Sequence, residues 1–251
     1  MIRAIHLGPL TIQSFGLCVA LAFLAAGAVL YRRFAELGWD PDLAYEATGA
    51  ALVGGIAGAR IWWAVGDPSA LVHDPVHQLV GSSGLTWYGG AIGGALAVLA
   101  FARWRKVSMW DLAGAATAPL ALGYALGRIG CQVSGDGDYG VPSTVKWAMS
   151  YPHGVVPTKL AVLPTPIFET FFVGLIALVL WRLRDRLSPQ WLFALYLIGT
   201  GVERFIIEFW RRNPDVDGFL TVAQITSVIM VALGGALAIW MRSRERPPLA
   251  H

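Results

Sequence analysis

The sequence predicts an all-α integral membrane protein, with seven transmembrane helices and a long outer segment between the fourth and fifth. Three observations carry that expectation. Of 251 residues, 56% are hydrophobic and only 14% charged, with a mean hydropathy of +0.57, which nearly excludes a soluble globular class. Seven apolar segments reach or approach the roughly 20 residues that cross a hydrocarbon core. Lysine and arginine gather in alternate connections, so the net charge of +3 matters less than its distribution.

In chain order the spans are expected near 11–31, 43–65, 85–103, 110–128, 166–183, 190–210 and 219–241. Asp67-Pro68, Asp74-Pro75, Ser188-Pro189 and Asn213-Pro214 punctuate the links. The Met1–Leu10 stretch is too short and mixed for a cleaved signal peptide, so the first helix is expected to stay. Residues 130–164 are polar and rich in Gly and Pro, and are expected to fold outside the bilayer within one membrane domain, 1–251. Basic residues follow spans one (Arg32, Arg33), three (Arg103, Arg105, Lys106), five (Arg182, Arg184, Arg186) and seven (Arg242, Arg244, Arg246). The positive-inside rule then places the N-terminus outside and the C-terminus in the cytoplasm, with Arg211 and Arg212 dissenting on the outer side.

Small-residue pairs predict close helix contacts: Gly54 with Gly58, Gly89 with Gly93, Gly90 with Gly94, and Gly123 with Gly127. Trp62, Trp63, Trp87, Trp147 and Trp210 fall near outer ends as interfacial anchors. Cys18 and Cys131 form no disulfide framework or zinc spacing, and Cys18 reads as a packing residue. His73 and His77 have a ligand interval, but Asp74-Pro75 between them breaks a helix. The Gly-Asp-Gly-Asp run at 135–138 is an incomplete calcium loop, and no phosphate-binding Walker loop is present. No metal, organic cofactor or nucleic-acid partner is expected.

The stretch from Gly127 to Gly140 is the most informative: Arg128 closes an apolar run, and a loop carrying Asp136 and Asp138 follows. Other polar residues fall in the same outer half: Gln13, Ser14, Arg60, Tyr88, Glu169, Glu203, Arg204, Glu208 and Gln224. Charge is costly near lipid and is seldom kept there without a task. Arg204 and Glu208, four apart on one helix face, are expected to pair. The plain reading is that the arginines are neutralised by nearby acids or snorkel to the interface. The sharper one is a cavity open to the outer leaflet that holds a lipid phosphate, for which the planar guanidinium fork is suited.

These residues resemble the prolipoprotein diacylglyceryl transferase family over nearly the whole chain. Gly127–Gly140 is similar to a signature that opens Gly-Arg-hydrophobic-Gly, continues with Asn or Cys, and ends in an aromatic-Gly pair, here Tyr139-Gly140. Leu163–Glu169 resembles His-Pro-Thr/Ser-Gln-Leu-Tyr-Glu, and Glu203–Arg211 resembles an Arg-hydrophobic-x-hydrophobic-Glu-Phe-hydrophobic-Arg helix. Gln224-Ile225 matches a pair that opens the last helix, and Gly84–Gly90 a loop-to-helix Gly-Gly motif. The resemblance implies transfer of the diacylglyceryl group of phosphatidylglycerol to a prolipoprotein signal-peptide cysteine, at the outer side of a bacterial inner membrane. A thioether forms and glycerol phosphate leaves.

It also implies that Arg128 binds phosphatidylglycerol and that Arg204 matters for activity. The lipid-binding set is then Arg60, Arg128, Ser134, Tyr139, Gly140, Glu169 and Gln224. The catalytic set is Arg128, Arg204, Asp136, Asp138, Tyr88 and Glu208, with Asp136 or Asp138 favoured as proton acceptor because Glu208 can pair with Arg204. Departures concentrate where protons are handled: Tyr88 stands in place of a histidine, Phe15 of a tyrosine, Leu163 of a histidine and Ser134 of an asparagine. An anionic-lipid transporter and a non-catalytic lipid-binding relative are the rival readings.

Overall fold

A computed structural model describes residues 1–8, 10–76, 86–216 and 218–244. Among them, seven helices of 18 or more residues dominate: α1 (Ser14–Glu36), α2 (Leu43–Gly66), α4 (Trp87–Trp104), α5 (Met109–Ser134), α6 (Thr165–Leu183), α7 (Pro189–Glu208) and α8 (Val222–Arg244). A six-residue α3 (Pro68–His73) follows α2. Four of these helices, α1, α2, α6 and α8, are long and apolar enough to cross a membrane. Their outward residues are apolar too. Leu24, Val53, Phe171 and Ile239 are exposed, as side chains facing lipid would be. The five tryptophans read as anchors are exposed as well.

The all-helical expectation needs correction at three places. Short antiparallel hairpins pair β1 (Ala4–Leu7) with β2 (Leu10–Gln13), β3 (Met149–Tyr151) with β4 (Thr158–Val162), and β5 (Asp215–Val216) with β6 (Leu220–Thr221). Strands this short carry too few alternating residues to show against an apolar background. A second correction concerns the fourth span. Helix α5 does not stop at Arg128 but runs to Ser134, where Gly135 takes a left-handed φ of +61° that glycine adopts without steric cost. The non-helical segment before α6 therefore begins at 135 rather than 130. His77, the Gly84-Leu85 part of the Gly-Gly motif, Arg246 and His251 lie outside the described residues.

The chain packs as two compact units, residues 1–26 with 113–251, and residues 27–112. In the second unit α2 and α4 meet through their glycines. A Cβ on Gly58 would stand 2.7 Å from the Cα of Gly93, and one on Gly93 2.7 Å from the Cα of Gly58. Backbones that close gain dispersion contacts along their whole length, the main attraction between helices in lipid. Arg105 Nη2 reaches Glu46 at 2.8 Å and ties the far end of the same pair.

In the first unit, Ala118, Ala121 and Ala125 of α5 pack on Val173, Ala177 and Leu180 of α6 and on Leu192 of α7. Small residues on one helix against branched ones on the next let the three axes draw together. Helices α7 and α8 also approach closely, since a Cβ on Gly234 would stand 2.9 Å from the carbonyl oxygen of Ala194. Ser188 caps α7 by accepting from the Trp191 N–H, with Pro189 at the first helical position. Beyond α5, Tyr139, Tyr151 and Val162 form a small separate core, with the two rings stacked 4.6 Å apart.

Replacing Gly58 by Leu should cost at least ~1–3 kcal/mol, because backbone rather than a flexible side chain blocks the added atoms. Gly49→Ala, where nothing lies within 4 Å of the added carbon, should be neutral or slightly stabilising by helix propensity. Thermal unfolding in detergent distinguishes the two.

Candidate active site

Glu169 is the centre of the polar cluster. It sits in the second turn of α6 and is 0% exposed. Four donors converge on it. Its Oε2 is 3.1 Å from Arg128 Nε and 3.5 Å from Arg211 Nη1. Its Oε1 accepts from Arg204 Nη1 at 3.0 Å and from the Tyr124 hydroxyl at 3.3 Å. The donors come from α5 (Tyr124, Arg128), α7 (Arg204) and the turn just past α7 (Arg211). On α5, Tyr124 and Arg128 are four apart, so they share a face, and Arg128 Nη2 donates to the Tyr124 hydroxyl at 3.0 Å.

Two further carboxylates complete the network. Asp138 bridges Arg128 and Arg211, one oxygen to each. Glu208 Oε2 forms an ion pair with Arg204 Nη2 at 2.8 Å, the expected pairing one turn along α7. Its Oε1 takes 2.7 Å hydrogen bonds from Asn213 Nδ2 and Thr221 Oγ1. Three guanidiniums thus face three carboxylates, and charge balances inside the cluster. Arginine makes this possible, since its five donors can hold several acceptors at once.

The loop that carries Asp138 is shaped for it. Gly135 and Gly137 both have positive φ, and Asp136 Oδ1 accepts the Asp138 N–H at 3.1 Å in a local turn. Thr165, at the start of α6, donates its hydroxyl to the Asp138 carbonyl at 2.7 Å. Burial works against ionisation of Asp138, but the Arg128 and Arg211 charges outweigh it and hold the carboxyl below the ordinary carboxylate value. Protonating it would break two ion pairs. The Cys131 thiol lies near both loop acids, with all three ligand atoms within 4.8 Å of one another, but Asp138 is already taken up by guanidiniums.

Other sequence-derived candidates make contacts within the protein. The Ser134 hydroxyl turns back to its own helix, donating to the Gly130 carbonyl at 2.8 Å. Gly140 is required for close approach. A Cβ there would stand 3.0 Å from Thr165 Cγ2, and its N–H donates to the Leu163 carbonyl at 2.7 Å. Gln224 and Thr221 make a capping box at the start of α8: Gln224 Oε1 accepts the Thr221 N–H at 3.1 Å, and Thr221 Oγ1 the Gln224 N–H at 3.2 Å. Tyr139 donates to the Val156 carbonyl at 2.9 Å, and the Arg212 guanidinium lies 4.4 Å over its ring. Arg60, buried on α2, and Tyr88, part-buried in the first turn of α4, belong to the second unit.

Sequence reasoning left Tyr124 and Arg211 off the site. Both had a signal: Tyr124 is one turn before Arg128, and Arg211 is one turn after Glu208. Arg211 and Arg212 also line a cavity of about 320 Å³ with Gly137, Tyr139 and Asn213. That is the lower end of the range for small-ligand pockets.

A family model described as prolipoprotein diacylglyceryl transferase matches residues 3–240. A phosphatidylglycerol–prolipoprotein diacylglyceryl transferase of Methylococcus capsulatus is 32% identical over 249 residues, covering 92% of this chain and 91% of the relative. Proteins of the same name from Trichormus variabilis (30% identical, covering 97% and 90%) and Chlorobaculum tepidum (32%, covering 79% and 73%) are also similar.

Glu169→Ala should leave three partly buried guanidiniums short of a counter-charge and cost ~3–5 kcal/mol, read as a fall in the midpoint of unfolding. Asp138 titrates with the opposite consequence for pH. Its folded value is lowered, so the stability it contributes is complete above the ordinary carboxylate value and is lost as pH falls through the lowered one. Asp138→Asn should flatten that acid limb in unfolding measured against pH.

Proposed function

Because the chain belongs to the prolipoprotein diacylglyceryl transferase family, we propose that it transfers the diacylglyceryl group of phosphatidylglycerol to the cysteine thiol of a prolipoprotein signal peptide. A C–S thioether forms, the glyceryl C–O bond breaks, and glycerol phosphate departs. The observation that carries this reading is the convergence of Arg128, Arg204 and Arg211 on one buried carboxylate.

Arg128 and Arg211 are then the phosphate clamp. Asp138, the one member of the carboxylate trio that is partly exposed and borne on a loop, holds their place until the phosphate arrives. Arg204 steadies charge on the departing oxygen. Donors set in advance toward developing charge in a dry site are commonly the largest catalytic contribution. The cavity beside Arg211 and Arg212 suits the glycerol phosphate end of the lipid. Asp136 is a polar neighbour of the acceptor.

The whole chain acts as one multi-pass membrane domain, and all seven long helices are read as spans. The basic ends of α1, α4, α6 and α8 support a cytoplasmic C-terminus and an N-terminus on the periplasmic side of the inner membrane. Residues 135–164 then lie outside, at the level where lipid headgroup and acceptor cysteine meet.

Reconstitution with phosphatidylglycerol and a signal peptide bearing one cysteine tests the reaction. The peptide should gain the mass of one diacylglyceryl group, and a Cys-to-Ser peptide should not. Lipid that binds without transfer, or that merely crosses the bilayer, would favour the rival readings. Arg128→Lys keeps charge but loses the fork, and turnover should fall ~10²–10³-fold. Near-normal turnover in that variant would remove the clamp.

A further inference from the structure

We propose that Glu203 is the base that takes the proton of the acceptor thiol, an inference that rests on the transfer reaction proposed above. Glu203 precedes Arg204 on α7 and is only 8% exposed. Neither of its carboxylate oxygens has a hydrogen-bond partner among the described residues. Buried polar atoms are nearly always satisfied, and a bare pair of carboxylate oxygens calls for an explanation. A donor that arrives only with substrate supplies one.

Its position fits that part. One turn earlier on α7, Gly199 faces Ile176 of α6, so Glu203 falls on the stripe turned toward α6. The charged and titratable groups around it are Glu169 from α6, Arg128 and Tyr124 from α5, Arg204 on its own helix and Arg211 beyond it. It therefore lies at the edge of the guanidinium cluster without being paired into it. Asp138, Glu169 and Glu208 each hold guanidiniums, and a proton on any of them would break those pairs. Glu203 has no such pair to lose. Since the other six charges already balance, it can gain and release a proton while the clamp stays whole.

The step balances. The S–H bond breaks as the proton passes to Glu203, and the thiolate sulfur attacks the glyceryl carbon that bears the phosphate ester. The C–S bond forms while the C–O bond breaks, its electron pair leaving on glycerol phosphate. Glu203 then returns its proton to that phosphate, and the carboxylate is restored for the next turnover.

The test uses the full chain in phosphatidylglycerol vesicles with the single-cysteine peptide. Glu203→Gln should lower kcat ~10²–10⁴-fold, leave KM for the lipid essentially unchanged and remove the acidic limb of the kcat–pH profile. A selenocysteine peptide, whose selenol ionises without a base, should restore most of the lost rate. Wild-type kcat, no rescue by selenocysteine, or a raised lipid KM with the acidic limb intact would each overturn the proposal, the last by making Glu203 a hydroxyl acceptor for the headgroup. If the Gln variant does not fold, Glu203→Asp decides: a displaced limb supports the role and an unmoved one overturns it. Failure of the wild-type chain to transfer at all would instead remove the reaction on which the role rests.

Discussion

A carboxylate with no exposed surface, deep among apolar helices, is affordable only if donors surround it, and that requirement organises the first unit around Glu169. Three guanidiniums and a phenol answer it. Because they are borne by α5, by α7 and by the turn beyond α7, satisfying one side chain on α6 fixes three helices in register. The apolar contacts of Ala118, Ala121 and Ala125 with Val173 and Ala177 make the helices adhere, but such contacts tolerate sliding. The ionic cluster does not, since a shift of one turn would part Glu169 from its donors.

The same cluster shows how arginines can sit among apolar helices without leaving bare charge. Each guanidinium has a carboxylate partner, and each has donors to spare. Of the three partners, Glu169 is buried within α6 and Glu208 is tied to Asn213 and Thr221. Asp138 alone sits on a glycine-flanked loop with its side chain 32% exposed. Under the clamp proposed above, an entering phosphate would replace it with little rearrangement, because both present oxygens to the same two forks.

Much of this was legible in the sequence. The seven long helices fall within a few residues of the apolar segments, since lipid-facing composition is a strong and local signal. The clustering of Arg128, Glu169, Arg204 and Glu208 could be read from their places at the ends of apolar segments, and the glycine contacts of α2 with α4 followed from their spacing. What could not be read depends on who meets whom. Ser134, Gly140 and Gln224 are polar or small at places that resemble ligand positions, yet their partners are backbone groups of their own termini and loops. Arg211 looked like a misplaced topological charge because its counter-ions, Asp138 and Glu169, are distant in sequence. Two- to five-residue strands have no periodicity long enough to detect.

The spacing of the ionic partners along the chain also bears on biosynthesis. Translation delivers Arg128 first, Glu169 later and Arg204 with Arg211 last. Asp138 follows Arg128 almost at once and can answer that cation locally. Glu169 has no such local partner, because its donors all lie on other elements and two of its three guanidiniums, on Arg204 and Arg211, come last. A chain broken off before α7 would leave that carboxylate short of both, with an uncompensated charge where the helices meet.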